Sequence, residues 1–318
     1  MKKALVSKYF TKSAVLKITS ALNNYSVEQV SDWQADESAK ALIIRSKDLV
    51  NAKFLKLFPN AEVIVSATSG FDHFHLKDLE HSSVTPCYSP NANINSATEI
   101  TLFHILNFFK KGPVLLNQKP TKRTTQILGE EVSSKTVGII GLGRIGSLVA
   151  TTLNSLGGEV LAFDPYIDES AFKKAFAKSV SLDQLLEQSD IISLHCPLTK
   201  LTKNIICKET LLKMKPSSLL VNCARGELIN STALLAALQK QEISGACLDV
   251  FENEPLSEDS PLLKLENVIT TPHIGGYTAQ AQEKSALEAA QQVKNWFEVE
   301  TPVLSSVPPD AAWKKDLI

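Results

Sequence analysis

The stretch Thr136-Val-Gly-Ile-Ile-Gly141-Leu-Gly143-Arg-Ile-Gly146 decides the fold of this chain. A short apolar run, typical of a buried strand, leads directly into Gly-x-Gly-x-x-Gly and then into a helical pattern. Gly141 permits the tight turn, Gly143 lets the backbone approach a pyrophosphate, and Gly146 lets the helix pack closely on the strand. A helix that begins here offers free N–H groups and the positive end of its dipole to phosphates. The stretch therefore predicts a dinucleotide-binding site.

A second apolar run, Glu159-Val-Leu-Ala-Phe-Asp164, ends in a carboxylate eighteen residues after Gly146. An acid at this point accepts hydrogen bonds from the hydroxyls of the adenosine ribose. The same carboxylate would repel a 2′-phosphate, and residues 165–168 supply no Arg or Lys to neutralise one. The cofactor is therefore expected to be NAD rather than NADP.

Composition limits the class of protein. The chain has 318 residues, 44% of them hydrophobic, which is enough for two domains that each bury a core. Lys and Arg number 33 against 34 Asp and Glu, so no net field recruits nucleic acid or an anionic membrane. No apolar run approaches the ~20 residues of a membrane span, and the N-terminus is apolar too briefly for a signal peptide. The five cysteines form no Cys-x-x-Cys, which favours reduced thiols in a cytoplasmic protein with neither disulfides nor a bound metal.

Strand-like and helical segments alternate along the whole chain, which predicts two doubly wound α/β domains with parallel sheets. We expect a flavodoxin-like substrate domain over residues 1–95, completed by 286–318, and a Rossmann NAD-binding domain over 96–285. Strands are predicted at 3–7, 41–46, 61–66 and 83–88 in the first domain and at 137–140, 160–163, 191–194, 219–222, 246–249 and 268–270 in the second. Helices are predicted at 47–58, 96–111 and 279–298, the last one returning to the first domain. The 96–111 helix is apolar on most of its circumference, which indicates burial on several sides, against both domains or a partner subunit.

Three neighbouring strand ends in the second domain carry ionisable residues. Arg225 follows one strand, Glu254 lies past the next, and His273 follows the last. Reduction of a 2-keto acid needs a planar cation for the substrate carboxylate and an acid–base group that titrates near neutrality. A carboxylate beside that histidine would fix its tautomer and raise its pKa. These three residues suit those roles, although each alone could be an ordinary surface or turn residue.

The motifs GLGRIG, FDP, LHCPLT, VNCARGE, LDVFENEP and TPHIGG resemble those of the D-isomer-specific 2-hydroxyacid dehydrogenase family. The resemblance implies catalytic roles for Arg225, Glu254 and His273, with Asp249 holding the nicotinamide carboxamide. It implies further contacts to NAD from Gly141, Gly143, Arg144, Ile145, Gly146, Asp164, Cys196, Pro197, Cys223, Ala224, Gly275 and Gly276. A homodimer built around the 96–111 helix is also expected from the family.

The resemblance extends to the first domain, where it concerns the substrate. The amides of Ser69 and Gly70 would receive the substrate carboxylate, and Asn93 lies in a segment that enters the interdomain helix. Arg45 and Ser46 are similar to the Arg-Ser pair with which 3-phosphoglycerate dehydrogenases bind phosphate, although Arg45 could equally pair with a surface carboxylate. A further anion contact could come from Lys119, Lys122 or Arg123.

The substrate itself is left open among several acids. A short form of 3-phosphoglycerate dehydrogenase, without a C-terminal regulatory domain, is favoured. Glyoxylate/hydroxypyruvate reductase and 4-phosphoerythronate dehydrogenase are alternatives, and a non-catalytic NAD-sensing scaffold is a remote one. The family usually has Asp-Asn-x-Asp where this chain has Asp72-His73-Phe74-His75. Two histidines at i and i+2 without a third ligand are more often loop residues than a metal site.

Overall fold

The computed structural model describes residues 1–116, 127–300, 304–307, 314 and 317. The strands, in chain order, are β1 Lys2–Val6, β2 Tyr25–Gln29, β3 Ala39–Ile44, β4 Val63–Ser66, β5 Thr85–Tyr88, β6 Thr136–Ile140, β7 Glu159–Phe163, β8 Lys178–Ser179, β9 Ile191–Leu194, β10 Leu219–Asn222, β11 Gly245–Leu248 and β12 Val268–Thr270. The α-helices are α1 Lys12–Ala21, α2 Ala52–Leu55, α3 Leu76–Leu79, α4 Ile94–Phe109, α5 Gly112–Leu115, α6 Arg144–Ser155, α7 Glu169–Lys174, α8 Leu182–Gln188, α9 Lys208–Leu211, α10 Ser231–Gln239 and α11 Ala279–Glu298. Short 3₁₀ helices occur at Val132–Ser134, Gly226–Leu228 and Pro261–Lys264.

The chain forms two compact units. The first contains Met1–Asn93 and Gly276–Lys314, and the second contains Ile94–Gly275 and Lys315–Ile318. The division near the end of the second unit lies ten residues before the expected one. The hydroxyl of Thr278 caps α11, and Gln282 donates to the Gly276 carbonyl at 3.0 Å, which ties the segment before residue 286 to that helix.

The first unit is a five-stranded parallel sheet in the order β2-β1-β3-β4-β5. Its four predicted strands are confirmed within a few residues of their expected ends. The edge strand β2 was not predicted because its residues alternate with polar side chains and only Tyr25 is buried. On one face of the sheet, α11 contributes Ala286, Ala289, Ala290 and Val293 to the core, so the predicted return of this helix is confirmed.

The helix predicted over residues 47–58 is wrong for most of that range, since α2 covers only Ala52–Leu55. Val50 instead pairs with Phe74 in an isolated parallel bridge. The side chain of Asn51 then caps the short helix, accepting from the backbone three residues later. The apolar residues of this stretch therefore fill a core from a loop as well as from a helix, and periodicity alone cannot distinguish these cases.

The second unit is a seven-stranded parallel sheet in the order β12-β11-β10-β9-β6-β7-β8. The six predicted strands are confirmed. The seventh, β8, is an exposed two-residue edge strand whose polar sequence gave no signal. The chain order reverses between β9 and β6, which is the topological switch point where doubly wound sheets bind their ligands. Strands such as β9 and β10 are buried along their whole length, and each buried Ile or Leu contributes roughly 1.5–3 kcal/mol.

The helix α4 begins and ends two residues before its predicted bounds. One side of it is buried, including Ile105 and Phe109, but Phe103 remains 50% exposed and Leu106 37% exposed in the single chain. The expected burial on several sides is therefore incomplete here. In the parts of the chain that the structure describes, no helix has the length and apolarity needed to cross a membrane.

Candidate active site

The backbone of His273 lies just past β12 and is held in an unusual conformation. Its φ of 53° is in the left-handed region, which residues with a side chain seldom adopt. The His273 amide donates to the Asp249 carbonyl at 2.9 Å. The next two amides, of Ile274 and Gly275, donate to the two oxygens of the Asp249 carboxylate at 2.9 and 2.8 Å. These bonds to one buried residue hold the strained segment in place.

Glu254 fixes the imidazole of His273 from one side. Its Oε2 lies 2.6 Å from Nδ1 of His273, and its Oε1 accepts from the Phe251 amide at 3.0 Å. Because the carboxylate accepts a hydrogen bond from Nδ1–H, Nε2 is the ring nitrogen that remains for chemistry. The His273 side chain is 52% exposed, so that nitrogen is within reach of a ligand.

The two groups shift each other's titration. The hydrogen bond to Glu254 raises the pKa of His273, against the opposing effects of burial and of the nearby Arg225 charge. Burial alone would raise the pKa of Glu254, but the hydrogen bonds from His273 and Phe251 outweigh burial and lower it. The pair is therefore an imidazolium–carboxylate ion pair over a wider pH range than free side chains would allow.

Arg225 is positioned by the turn that follows β10. The buried Asn222 donates from Nδ2 to the Arg225 carbonyl at 2.8 Å and accepts from the Ala224 amide at 3.0 Å. The next residue, Gly226, packs so closely that a Cβ there would lie 1.9 Å from the carbonyl carbon of Phe251. The turn is thus seated on the same backbone that Glu254 contacts. The charge of Arg225 acts on both members of the His273–Glu254 pair.

The glycine loop has the geometry expected of a pyrophosphate cradle. Gly141 has φ of 91°, and a Cβ at Gly146 would lie 2.1 Å from the Gly141 carbonyl oxygen, so neither position tolerates a side chain. A Cβ on Gly143, in contrast, would meet nothing within 4 Å. Gly143 is the N-cap of α6 and makes no side-chain cap, and Arg144 and Ile145 form the exposed and half-buried first turn. Open space above uncapped helix amides suits an anionic group.

Asp164 stands beside this loop. One of its carboxylate oxygens accepts from the Leu142 amide at 2.9 Å and the other from the Tyr166 amide at 3.0 Å. Cys196 packs against Gly141, since a Cβ on the glycine would lie 2.6 Å from the Cys196 amide nitrogen. Pro197 follows, and its carbonyl accepts from the Thr202 hydroxyl at 2.6 Å. The residues expected at the adenosine side of NAD thus adjoin the glycine loop, and they fit the cofactor.

The residues expected near the nicotinamide follow β10 and β12. Cys223 and Ala224 are half-buried in the Arg225 turn, and burial raises the pKa of Cys223 to about 12. Gly275 is buried against Asp249, whereas Gly276 belongs to the first unit. Asp249 accepts two bonds at Oδ1, from Thr271 and Ile274, and one at Oδ2, so an acceptor site remains for a carboxamide.

The substrate candidates of the first unit lie at the carboxyl ends of β3 and β4. Arg45 donates to the Ala67 carbonyl at 2.9 Å and to the Ser285 hydroxyl at 3.1 Å, and its guanidinium lies over the Phe10 ring. Both acceptors are neutral. Burial lowers the pKa of Arg45. The neighbouring Ser46 is exposed.

The loop after β4 and the segment before α4 contain the other substrate candidates. The Thr68 hydroxyl donates to the Gly70 carbonyl at 2.8 Å, which folds Ser69 and Gly70 into a half-buried turn. The side-chain oxygen of Asn93 is buried and has no hydrogen-bond partner among the described residues. A buried acceptor left in this way is costly unless a ligand satisfies it.

Two further expectations concern metal binding and additional anion contacts. His73 is buried against the Phe74 ring, while Nδ1 of His75 lies 2.9 Å from Asp78, so the two histidines face different partners. Within the described ranges, no group of three or more His, Cys, Asp or Glu is placed to hold a metal ion. Lys119, Lys122 and Arg123 lie outside the described residues.

The structure adds two residues that the motifs did not single out. Asn222 orders the Arg225 turn, and the Thr271 hydroxyl donates to Asp249 at 2.5 Å. Each is a polar residue at the end of an apolar strand. That position was the only signal in the sequence, and it does not say which backbone group the side chain will meet.

The sequence is similar to those of known proteins. Residues 102–275 match the sequence model for the NAD-binding domain of D-isomer specific 2-hydroxyacid dehydrogenases. The D-3-phosphoglycerate dehydrogenase of Mycobacterium bovis is 38% identical over 259 residues, which cover 80% of this chain and 49% of that protein. The glyoxylate reductase of Thermofilum pendens is 33% identical over 287 residues, or 84% of this chain and 83% of that protein.

The fold has solved counterparts as well. The crystal structure of a D-lactate dehydrogenase from Aquifex aeolicus, complexed with NAD and lactic acid, matches with a TM-score of 0.80 at 30% identity. The match covers 92% of this chain and 95% of that one. The chain spans about half the length of the phosphoglycerate dehydrogenases it matches. Since the domain match covers more than half of the sequence and the relatives are similar well beyond it, this chain belongs to the D-isomer specific 2-hydroxyacid dehydrogenase family and contains that family's NAD-binding domain.

Proposed function

We propose that this chain is an NAD-dependent oxidoreductase that transfers a hydride between a D-2-hydroxy acid and nicotinamide. The observation that carries the proposal is the His273–Glu254 pair, joined at 2.6 Å and adjoined by the Arg225 turn. We propose 3-phosphoglycerate as the substrate and 3-phosphohydroxypyruvate as the product, a step of serine biosynthesis. This choice is supported by the similarity to phosphoglycerate dehydrogenases and by Arg45.

Proton transfer falls to His273. Bound NAD supplies the hydride acceptor for oxidation, and its reduced form supplies the hydride donor for reduction. In oxidation, Nε2 of His273 takes the hydroxyl proton, because Nδ1 is engaged by Glu254. The imidazolium that forms is stabilised by the Glu254 carboxylate. In reduction the same nitrogen returns the proton to the carbonyl oxygen.

Arg225 is proposed to orient the substrate carboxylate. The Arg225 guanidinium offers a planar fork to the substrate carboxylate. Within the first unit, we propose the amides of Ser69 and Gly70 and the buried oxygen of Asn93 as substrate contacts. For NAD itself, we assign the pyrophosphate to the amides at the start of α6, the adenosine ribose to Asp164, and the carboxamide to the remaining acceptor site of Asp249.

Arg45 is the group proposed to meet the phosphate of the substrate. Its guanidinium donates to two neutral acceptors and lies over the Phe10 ring, while the charge of the buried Asp48 carboxylate, which accepts from the Arg45 amide at 2.8 Å, also acts on it. A half-buried cation whose side-chain hydrogen bonds go to neutral acceptors favours an anionic ligand.

A second candidate function is reduction of glyoxylate or hydroxypyruvate. The glyoxylate reductase of Thermofilum pendens is matched over most of its own length, whereas the phosphoglycerate dehydrogenases are matched over about half of theirs. This candidate needs no phosphate contact, so Arg45 would then serve the fold alone.

We also propose a homodimer and a cytoplasmic location. The exposed Phe103 and Leu106 on α4 support the dimer, because a second copy would cover them. All five cysteines are free, which suits a compartment that keeps thiols reduced.

The test follows NADH by its absorbance with 3-phosphoglycerate, 3-phosphohydroxypyruvate, glyoxylate, hydroxypyruvate and 4-phosphoerythronate. Each acid is assayed with the wild type, with Arg45→Met and with Lys53→Met, an exposed cation of the same unit as control. We expect turnover of the phosphoglycerate pair that falls at least tenfold in Arg45→Met only. Turnover of small unphosphorylated acids alone, unaffected by Arg45, would reject the phosphate assignment. Absence of turnover with every acid, despite NADH binding, would favour the scaffold alternative.

A further inference from the structure

His104 is a buried histidine on α4 that none of the roles above uses. Its side chain has no exposed surface. Its Nε2 lies 3.0 Å from the Thr271 hydroxyl, and its Nδ1 has no hydrogen-bond partner among the described residues. A leucine would fill this place in an apolar core without leaving a buried nitrogen unsatisfied. The imidazole therefore destabilises the core relative to a leucine, and its hydrogen bond to Thr271 is the feature that accounts for a histidine here.

The direction of that bond follows from its neighbours. The carboxylate of Asp249 can only accept hydrogen bonds, so the Thr271 hydroxyl donates its one hydrogen bond to Asp249, at 2.5 Å. The hydroxyl oxygen must then accept from His104, which places the imidazole proton on Nε2 and leaves Nδ1 bare. His104, Thr271 and Asp249 form a directed chain of hydrogen bonds, which we refer to as the His104 chain.

The His104 chain ends on the segment that carries His273. Oδ1 of Asp249, which accepts the hydrogen bond from Thr271, also accepts one from the Ile274 amide, and Oδ2 accepts one from the Gly275 amide. The chain thus holds the backbone amides of the two residues that follow His273, which is itself at a positive φ. Hydrogen bonds in series polarise one another, so the donor at the far end strengthens the bond at the near end.

The charges around His104 are compatible with a neutral ring. Burial lowers the pKa of His104, although the Asp249 carboxylate opposes this effect. The Cys247 thiol of β11 donates to the His104 backbone carbonyl at 3.6 Å, and burial raises the pKa of this thiol, so it remains uncharged. A neutral imidazole with its proton on Nε2 is the form that the His104 chain requires.

We propose that His104 is a positioning residue for His273, acting through Thr271 and Asp249 on the backbone of the segment that carries it. The inference rests on the proposed function, because it assigns His273 the proton transfer. It predicts that loss of the Nε2 donor loosens the segment and weakens the His273–Glu254 bond. The pKa of His273 would then fall. The rate of keto-acid reduction declines at the pH where the imidazolium loses its proton, and this alkaline limb of the pH–rate profile would move to lower pH.

Two variants separate the donor from the packing. His104→Leu keeps an apolar volume and removes the donor, whereas His104→Gln keeps an N–H near the position of Nε2. We expect His104→Leu to lose about fivefold in kcat at alkaline pH with KM for NADH unchanged, and His104→Gln to recover most of the loss. Ile105→Val, a packing change at the next buried residue, should leave the pH limb unmoved. Equal losses in the Leu and Gln variants, or an unmoved limb in His104→Leu, would overturn the proposal.

Two further measurements keep the inference testable if His104→Leu fails to fold or if no acid is turned over. Thr271→Val breaks the His104 chain at its middle and should move the same limb in the same direction. Nitrogen-15 NMR of the histidine-labelled wild type needs no substrate, and it should show His104 protonated at Nε2 and not titrating around neutral pH. An Nδ1-protonated or titrating His104 would reject the His104 chain whatever the activity. Absence of turnover with the expected tautomer present would instead reject the proposed function alone.

Discussion

Nδ1 of His273 lies 2.6 Å from Oε2 of Glu254, and this contact assigns the two nitrogens of the imidazole to different tasks. The carboxylate is itself fixed, since its other oxygen accepts from the Phe251 amide. Nε2 is left as the nitrogen that can exchange a proton with a ligand. Four predictions concern this pair, Arg225 and the glycine loop.

Replacing the imidazole of His273 should greatly lower turnover and leave NADH binding unchanged. In His273→Ala, we expect kcat to fall by roughly 10²–10⁴, the usual contribution of a general acid–base group. NADH should still bind, because its predicted contacts lie on the glycine loop, at Asp164 and around Asp249. Stopped-flow turnover and NADH fluorescence titration measure the two effects. His81→Ala, at an exposed histidine of the first unit, is the control, and normal turnover in His273→Ala would contradict the assignment.

Removing the charge of Glu254 should move the pH profile. Because the bond to Glu254 raises the pKa of His273, the imidazolium persists to higher pH than in a free histidine. Reduction of a keto acid needs that imidazolium, so its rate is present at low pH and is lost as pH rises through the raised pKa. In Glu254→Gln this loss should occur roughly one pH unit lower, a modest shift because the pair is partly exposed. Glu252→Gln, an exposed neighbour, should keep the wild-type profile.

The fork of Arg225 should matter as much as its charge. Arg225→Lys keeps the positive charge and loses the planar pair of donors, so we expect kcat/KM for the keto acid to fall about 10–100-fold. In Arg225→Met, kcat/KM for the keto acid should fall further, while the dissociation constant of NADH changes little in both variants. Steady-state kinetics and NADH titration are sufficient. If Arg225→Lys equals the wild type, the arginine does not bind the substrate carboxylate in a bidentate manner.

Two glycines of one loop should respond differently to alanine. A Cβ on Gly146 would lie 2.1 Å from the Gly141 carbonyl oxygen, so Gly146→Ala should lower the free energy of unfolding by about 1–3 kcal/mol. A Cβ on Gly143 meets nothing within 4 Å, so the free energy of unfolding of Gly143→Ala should lie within about 0.5 kcal/mol of the wild-type value. The same substitution should nevertheless weaken NADH binding roughly tenfold if the pyrophosphate fills that space. Urea unfolding and NADH titration measure both, and unchanged NADH affinity in Gly143→Ala would place the pyrophosphate elsewhere.

The sequence predicts the structure best where the signal is local. The strand β6, the glycine loop and α6 are specified by an apolar run, three glycines and helical periodicity, all within twenty residues. The prediction failed at β2 and β8, which are edge strands with polar residues, and at residues 47–58, where loop and helix share apolar spacing. At an edge or in a loop, the partners that decide the backbone are distant in the chain.

The sequence by itself determined ten of the twelve strands, the dinucleotide motif and the residue types at the strand ends, because periodicity and glycine requirements act over short distances. Only the tertiary structure decided which nitrogen of His273 is free, since that depends on a hydrogen bond to Glu254. It also showed that Asp249 holds the backbone around His273 and that His104 reaches it through Thr271. Hydrogen bonds of this kind need atoms placed within a few tenths of an ångström by distant segments, which no local pattern encodes.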